Sequence, residues 1–128
     1  MQILGSGVDI VENLRIMKSL KSKNFISRIF TDREILLSKK TRNKTAYYAK
    51  RFAAKEAFAK ALGTGFRDGL NFKDIEVVND KLGKPYYIIS SKIKNLIKKK
   101  KKIKNFNLFL SISDEKEYSI AFTIIQAT

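Results

Sequence analysis

The sequence predicts an α+β domain, with helices mostly in the first half of the chain and an antiparallel sheet that the second half completes. Two β-branched runs, 3–11 and 118–125, indicate strands, and a long alanine-rich helical pattern at 45–62 lies between them. The chain has 128 residues, of which 44% are hydrophobic and 30% charged, an ordinary balance for a globular protein. A chain of this length buries roughly two-thirds of its unfolded surface, so we expect one domain over 1–128.

The first third of the chain predicts a strand followed by a helical region. Residues 3–11 are β-branched and punctuated by glycine, which indicates a strand that another backbone approaches closely. Residues 13–30 carry five basic side chains and no acidic one, while apolar residues recur among them at helical spacing. This pattern predicts a helix that packs by one side and presents a basic side outwards.

The middle of the chain carries sharper helix signals. Thr31 and Glu34 form a T-x-x-E capping box, so a helix should begin at Asp32. The pattern at 45–62 is the longest in the chain, and Gly63 should end it because glycine is common just past a helix.

The second half predicts a loop, two strand pairs and a short helix. A glycine-rich loop covers 63–74, and the turn at 80–85 contains the only proline. Ser90 or Ser91 would cap the short helix. Strands are predicted at 75–79, 86–90, 107–113 and 118–125.

The composition narrows the possible chemistry. Basic residues number 27 and acidic residues 12, giving a net charge of +15, which indicates an anionic partner such as nucleic acid, membrane, acidic protein or a phosphorylated ligand. Cysteine and histidine are both absent, which excludes disulfides, Cys/His zinc sites and Ser-His-Asp catalysis within one chain. No apolar run approaches ~18 residues and no secretory signal is visible, so we expect a cytoplasmic protein without a membrane span.

Asp9 is an anomaly in the first strand, where it lies between Val8 and Ile10. A carboxylate in apolar surroundings costs free energy unless it is paired or bound to a metal. Two interpretations stay open, a satisfied carboxylate at a strand end and a metal ligand.

Glu56 stands out on the long helix, because it follows Phe52 by four residues and precedes Lys60 by four. The simple interpretation is an exposed Glu–Lys pair, which would contribute only about 0.2–0.5 kcal/mol. The other residues on that face are aromatic or small, which favours a functional carboxylate. Mg²⁺ prefers oxygen ligands and often takes one or two carboxylates plus substrate phosphates. Asp9 and Glu56 together therefore predict a Mg²⁺ site.

A small-residue loop follows Lys60, consisting of Gly63, Thr64 and Gly65. Small residues allow backbone N–H groups to approach a phosphate, and a lysine supplies a point charge. The glycines follow the helix instead of opening it, so the loop does not match a Walker P-loop. An ordinary turn is the alternative.

Residues 92–104 contain eight lysines and no acidic residue. The simplest interpretation is a solvated helix face in a lysine-biased chain, which has 21 lysines and 6 arginines. A nucleic-acid patch is the rival, although specific recognition favours arginine. A small basic nucleic-acid-binding module is therefore the alternative function.

Five motifs in one order extend over nearly the whole chain and resemble the small 4′-phosphopantetheinyl transferases of the holo-acyl-carrier-protein synthase type. The central R-F-A-x-K-E-A block with G-T-G and the early G-x-D are the most specific. The motifs are GSGVDIVENLRI (5–16), FTDREI (30–35), RFAAKEAFAKALGTG (51–65), GKPY (83–86) and SISDEKEYSIAF (111–122).

The resemblance implies the 4′-phosphopantetheinyl transferase fold and transfer of the phosphopantetheine of coenzyme A to a serine of apo acyl carrier protein, releasing adenosine 3′,5′-bisphosphate. It implies that Asp9 and Glu56 bind Mg²⁺ and that Lys60 contacts phosphate beside the Gly63–Gly65 loop, these three being the catalytic residues. The coenzyme-binding residues would be Arg51, Lys60, Gly63, Thr64, Gly65, Gly83, Lys84, Pro85 and Asp114.

Asp114 departs from the resemblance, because many relatives carry histidine there and an ionised carboxylate cannot donate a hydrogen bond to phosphate. It would orient a metal-bound water or a basic side chain, or serve only as a turn residue. Without histidine, either Glu56 or a metal-bound water is the candidate base for the serine hydroxyl.

The resemblance also implies partners. Relatives of this size look like homotrimers with sites completed between neighbouring subunits, and we expect no nucleic-acid or membrane partner. Acyl carrier proteins are acidic, so the basic region 13–30 would dock one, with apolar anchors beside the charges. The docking residues would be Arg15, Lys18, Lys21, Phe25 and Arg28, with Met17 and Ile26 beside them.

Overall fold

The computed structural model describes residues 1–67 and 69–128. Among these residues no helix is long and apolar enough to cross a membrane. The strands are β1 (Gln2–Glu12), β2 (Ile75–Asn79), β3 (Pro85–Ile89), β4 (Phe106–Asp114) and β5 (Tyr118–Ala127). The helices are α1 (Asn13–Ser19), α2 (Lys23–Ile29), α3 (Asp32–Ser38), α4 (Lys44–Leu62) and α5 (Ser91–Lys101), and a short 3₁₀ turn covers Phe72–Asp74.

The strands form two antiparallel sheets. One has the order β1-β5-β4, and the other is the β2-β3 hairpin. In the larger sheet Asp9 lies opposite Ala121, and Ile112 lies opposite the same residue on the other side. The α+β class is confirmed, but we expected a single sheet. The edge strands β3 and β4 contact each other without forming a hydrogen-bonded ladder.

Local helix signals are confirmed where they are strongest. The Thr31 hydroxyl accepts from the Glu34 N–H, and the Glu34 carboxylate accepts from the Thr31 N–H, so the predicted capping box is present. Helix α4 ends at Gly63, which has a φ of 91°, in the left-handed region that glycine adopts without strain.

The helical region predicted at 13–30 is wrong in one respect, because it contains two helices instead of one. Helix α1 ends near Leu20, and α2 begins after Ser22, whose hydroxyl accepts from the Phe25 N–H. Serine favours a helix N-cap over a helix interior because its side chain competes for backbone hydrogen bonds. Ser22 thus marks the break.

Helix α4 lies against the backbone of β1. A Cβ at Gly5 would lie 1.9 Å from the Ala61 carbonyl oxygen, and one at Gly7 would lie 2.0 Å from that of Ala57. Only glycine permits this approach, which confirms the close backbone contact predicted for 3–11. Residues of α4 belong to both hydrophobic clusters of the core, one beside α1–α3 and the other beside α5.

A buried ion pair joins α4 to the rest of the first cluster. Lys55 and Glu34 are both fully buried, and the Lys55 Nζ lies 2.7 Å from a Glu34 carboxylate oxygen. The same ammonium donates to the carbonyl oxygens of Ile29 and Phe72 at 2.8 and 3.0 Å. All three ammonium protons therefore have acceptors, and the pair fastens α2, α3 and the 3₁₀ turn to α4.

Candidate active site

Strand β1 directs Asp9 towards α4. Side chains alternate along a strand, so Asp9 shares its face with Gly5 and Gly7, the residues that contact α4. The Asp9 side chain is 16% exposed. The two small residues thus let a strand carboxylate reach the helix surface.

Asp9, Glu56 and Lys60 form a cluster of charged groups, called here the carboxylate cluster. The Lys60 Nζ lies 3.1 Å from Asp9 Oδ1 and 3.0 Å from the Val8 carbonyl oxygen. Burial raises the pKa of the half-buried Glu56 carboxyl, and the Asp9 charge raises it further. Lys60 and Arg15 oppose that rise in pKa. The structure therefore brings together the three residues that the sequence singled out, and α1 adds Arg15.

The donor set of the cluster fits a hard divalent cation. The neighbouring carboxylates of Asp9 and Glu56 offer oxygen ligands, which Mg²⁺ prefers. Among residues 1–67 and 69–128, no group of three or more potential ligands of the Asp, Glu, His or Cys type occurs. A site with two protein carboxylates leaves coordination positions for substrate phosphates and water.

Some polar groups of the loop after Lys60 already form hydrogen bonds within the chain. The Gly63 and Gly65 N–H groups both donate to the Ala59 carbonyl oxygen, and the Thr64 hydroxyl donates to the Gly65 carbonyl oxygen. Open space surrounds the Cα atoms of both glycines. The loop leaves room for a ligand beside the helix end, but its contact with phosphate stays a prediction.

A second group of predicted residues lines a separate cavity of about 110 Å³, called here the Arg51 cavity. Gly83, Pro85 and Asp114 lie on its wall with Arg51. Arg51 and Glu56 are five residues apart on α4, which places them about 140° apart around the helix axis. One chain therefore holds the predicted coenzyme-binding residues in two places.

Arg51 is held tightly inside its cavity. Its guanidinium donates to Asn79 Oδ1 at 2.7 Å and to the Tyr47 carbonyl oxygen at 3.3 Å, and it stacks 3.6 Å from the Tyr47 ring centroid. Burial lowers the pKa of Arg51. Its Nε has no hydrogen-bond partner among the residues that the structure describes. Arg51 therefore lines the cavity with one buried donor left unsatisfied.

Lys84 lies apart from Arg51, beside another cavity of about 330 Å³. Tyr86, Phe109 and Phe122 line this cavity, which opens between β3 and the outer face of the larger sheet. The predicted turn at Gly83, Lys84 and Pro85 therefore faces two cavities.

The predicted docking residues lie on α1 and α2. Phe25 is half-buried, and its ring centroid lies 6.0 Å from that of Phe52. Phe52 stacks on Phe72, and Phe72 stacks on Phe66 at 3.6 Å. The aromatic row therefore runs from α2 to the loop after α4. Among the exposed basic residues, Arg15 and Lys18 lie on α1, Lys21 lies in the turn that joins α1 to α2, and Arg28 lies on α2. Met17 of α1 is exposed with them.

Sequence reasoning missed two parts of this region. Phe66 and Phe72 extend the aromatic row, and their signal was the presence of two phenylalanines in a loop otherwise rich in glycine and charge. Lys55 precedes Glu56 but is fully buried, and nothing in its sequence neighbourhood distinguishes it from an exposed lysine.

The chain is similar to known proteins over nearly its whole length. A sequence model of the 4′-phosphopantetheinyl transferase superfamily matches residues 5–123. The chain is 66% identical over 126 residues to a holo-[acyl-carrier-protein] synthase of Pelagibacter ubique (strain HTCC1062), covering 98% of each. It superposes on the Neisseria meningitidis holo-[acyl-carrier-protein] synthase with a TM-score of 0.88 and 38% identity, covering 98% and 99% of the chains. The Bacillus anthracis synthase in complex with CoA (3′,5′-ADP) matches with a TM-score of 0.83 and 38% identity, covering 100% of both chains.

Proposed function

Because this chain belongs to the 4′-phosphopantetheinyl transferase superfamily, we propose how its residues perform the reaction of that family. The chain transfers the phosphopantetheine group of coenzyme A to a serine of apo acyl carrier protein, giving holo-acyl carrier protein and adenosine 3′,5′-bisphosphate. The observation that carries the assignment of residues is the convergence of Asp9, Glu56 and Lys60 from two elements distant in sequence.

We propose that Asp9 and Glu56 hold Mg²⁺. A bound Mg²⁺ would neutralise the charge of the coenzyme A diphosphate. The raised pKa of Glu56 supports this role, because burial and the Asp9 charge outweigh Lys60 and Arg15 there, and a bound cation would relieve that cost. Lys60 would add a point charge to the phosphate that is transferred, since its ammonium is exposed on the substrate side.

Arg51, Gly83, Pro85 and Asp114 would bind the adenosine part of coenzyme A. The shared Arg51 cavity and the free Nε donor of Arg51 support this role. The cavity of a single chain is much smaller than a coenzyme molecule and lies on another side of α4 from Glu56. A neighbouring subunit would therefore bring its own Arg51 cavity to the carboxylate cluster.

We propose that the chain assembles into a homotrimer through the outer face of the larger sheet. Apolar side chains pair across β1 and β5 on this face, Val8 with Phe122 and Ile10 with Ile120, and all four are well exposed. Phe109 continues the apolar surface onto β4. A surface of this kind on a small protein marks an interaction site. Subunit contacts through it would unite the two parts of the active site.

Acyl carrier protein would dock on α1 and α2. Exposed basic groups on both helices complement an acidic partner, and the half-exposed aromatic row beside them supplies apolar contacts. Arg15 links this surface to the chemistry, because its charge acts on Glu56. A cytoplasmic location and a single domain over 1–128 complete the proposal.

The decisive experiment incubates the protein with coenzyme A, Mg²⁺ and apo acyl carrier protein, and follows the intact mass of the carrier. We expect the carrier to gain one phosphopantetheine with the wild type, and a loss of at least 10²-fold in rate with Asp9→Asn and with Glu56→Gln. Glu12→Gln removes an exposed carboxylate at the end of the same strand and should leave the rate unchanged. Wild-type turnover in excess chelator, or full activity of both site variants, would contradict the residue assignment.

A further inference from the structure

Helix α5 carries a strongly basic surface that the proposed reaction does not use. This α5 basic surface consists of lysines 92, 94, 98–102 and 104. Its four lysines at 98–101 occupy the last turn of the helix, where the helix dipole favours cations. Neighbouring like charges nevertheless destabilise a helix. Lys92 has a counter-charge within the chain, because its Nζ lies 3.4 Å from Asp74 Oδ2. The surface as a whole carries a strong positive charge, which would attract an anionic partner.

The α5 basic surface is distinct from the docking surface proposed for the carrier. Ile93 and Ile97 are fully buried and belong to the core cluster that contains Phe58 and Leu62 of α4. Helices α1 and α2 instead belong to the cluster around the first half of α4. The two basic surfaces therefore lie along different parts of α4, and a second anionic partner could bind while the carrier is docked.

A groove with apolar walls runs beside these lysines. It has a volume of about 580 Å³ and lies between the edge strands β3 and β4. Lys94 and Lys98, one helical turn apart, line it together with Tyr86 and Ile88. Tyr86 is 45% exposed and Ile88 38% exposed. The groove therefore places two ammonium groups next to exposed apolar side chains.

We propose that the α5 basic surface docks the protein on an anionic phospholipid bilayer. Clusters of four to eight lysines on a helix attract anionic lipid surfaces. The apolar residues of α5 are already buried in the core, so the helix would rest on the headgroups without inserting. Lys94 and Lys98 would contact headgroup phosphates at the mouth of the groove, where Ile88 lies beside them.

Two sequence features favour a bilayer over a nucleic acid. Residues 81–113 contain no arginine, the side chain that dominates bidentate recognition of phosphates and bases. Helix α5 itself has no aromatic residue on which bases would stack. This proposal departs from the expectation of no membrane partner. It involves contact with the membrane surface only, and the expectation of no membrane span is unchanged.

Cosedimentation of the full chain with phosphatidylcholine vesicles, prepared with and without phosphatidylglycerol, tests the proposal. We expect binding only to the anionic vesicles, and we expect high salt to abolish it. Since each lysine near an anionic surface contributes about five-fold to the partition coefficient, Lys94→Gln with Lys98→Gln should lower it about 25-fold. The matched variant Lys39→Gln with Lys40→Gln loses the same charge from exposed residues after α3 and should bind nearly as the wild type.

Both variants should transfer phosphopantetheine at the wild-type rate in the absence of vesicles. That result would show that both variants are folded. Absence of binding to anionic vesicles, equal binding to neutral ones, or equal loss in the two variants would overturn the proposal. Tighter binding to duplex DNA than to anionic vesicles at the same salt would assign the surface to nucleic acid instead.

Discussion

At the scale of single residues, the ionised form of Glu56 lowers the stability of the folded protein. Burial and Asp9 raise its pKa above the ordinary 4.5. The folded protein therefore binds the Glu56 proton more tightly than the unfolded chain does. The stabilisation from that proton is complete below the unfolded pKa and is lost as the pH rises through the folded pKa. Such costs are common where a carboxylate is placed for function.

Glu56→Gln should remove this pH-dependent cost, because glutamine resembles the protonated carboxyl at every pH. Without metal, the variant should unfold at a higher urea concentration than the wild type at about pH 8, and at a similar concentration at about pH 4. Urea titrations at both pH values measure the difference, with the exposed Glu12→Gln as the control. The same stability difference at both pH values would show that ionised Glu56 is not destabilising.

The Glu34–Lys55 pair is the most sensitive polar contact of the core. Lys55→Met would leave the buried Glu34 carboxylate without its counter-charge and should destabilise the protein by about 3–5 kcal/mol. Lys23→Met, which removes an exposed lysine from α2, should change the stability by less than about 0.5 kcal/mol. Urea unfolding of the two variants provides the comparison, and equal effects would mean that the pair contributes no more than a surface charge.

The difference between Lys55 and Lys60 shows what the sequence could reveal about single residues. Lys60 was identified because its spacing from Glu56 and the following glycines form a local pattern. Lys55 has partners 21 and 26 residues before it and 17 after it, and contacts at such separations leave no periodic signal. Local chemistry was therefore predictable, while the buried ion pair was not.

At the scale of secondary-structure elements, the contact of β1 with α4 positions the carboxylates. Gly7→Ala would place a methyl group 2.0 Å from the Ala57 carbonyl oxygen and force the two elements apart. We expect a destabilisation of about 1–3 kcal/mol. We also expect kcat to fall by more than the loss of stability alone would explain. Denaturation curves and steady-state kinetics report the two effects. Ser91→Ala, at an exposed position at the start of α5, serves as the control. Wild-type kinetics for the glycine variant would contradict the proposed geometry.

Helix α1 should contribute mainly to capture of the carrier protein. Arg15→Glu with Lys21→Glu should raise the KM for apo carrier protein at low salt by about ten-fold or more, with a smaller effect on the KM for coenzyme A. Because Arg15 also acts on Glu56, a modest change in kcat would accompany it. Lys39→Glu with Lys40→Glu is the charge-matched control in the same assay. Unchanged kinetics at low salt would remove α1 from the docking surface.

The same division between local and distant contacts explains which elements were predicted. The capping box at Thr31 and the end of α4 at Gly63 depend on neighbouring residues, and both are confirmed. The break at Ser22 and the separation of the strands into two sheets depend on packing between distant segments. The strands and turns of the second half predicted the pairs β2-β3 and β4-β5, which the structure confirms. They did not determine that β1 would pair with β5 or that β2-β3 would form a separate sheet.

At the scale of the whole molecule, the outer face of the larger sheet should hold copies of the chain together. Phe122→Lys would place a charge in the middle of that face, and we expect the homotrimer to dissociate to monomers with at least 10²-fold lower activity. Sedimentation velocity gives the mass, and the mass shift assay gives the activity. Leu36→Lys alters a more exposed apolar residue on α3 and should leave both unchanged. A monomeric wild type with full activity would rule out the proposed assembly.

The whole site was less predictable than its parts. Asp9, Glu56 and Lys60 were expected to converge, and they do so within one chain. Arg51 and Asp114 were expected at the same site, but they lie in their own cavity around the helix from Glu56. A sequence shows which residues bear chemistry but does not show whether one chain or two must bring them together.

The absence of side chains at Gly5 and Gly7 has a consequence for how the enzyme meets its substrates. The distance between the β1 and α4 backbones is set by direct contact between main-chain atoms, which have no rotamers to adjust. The two carboxylates are therefore positioned during folding, before either substrate arrives. We expect this rigid backbone contact to give the enzyme a low reorganisation energy.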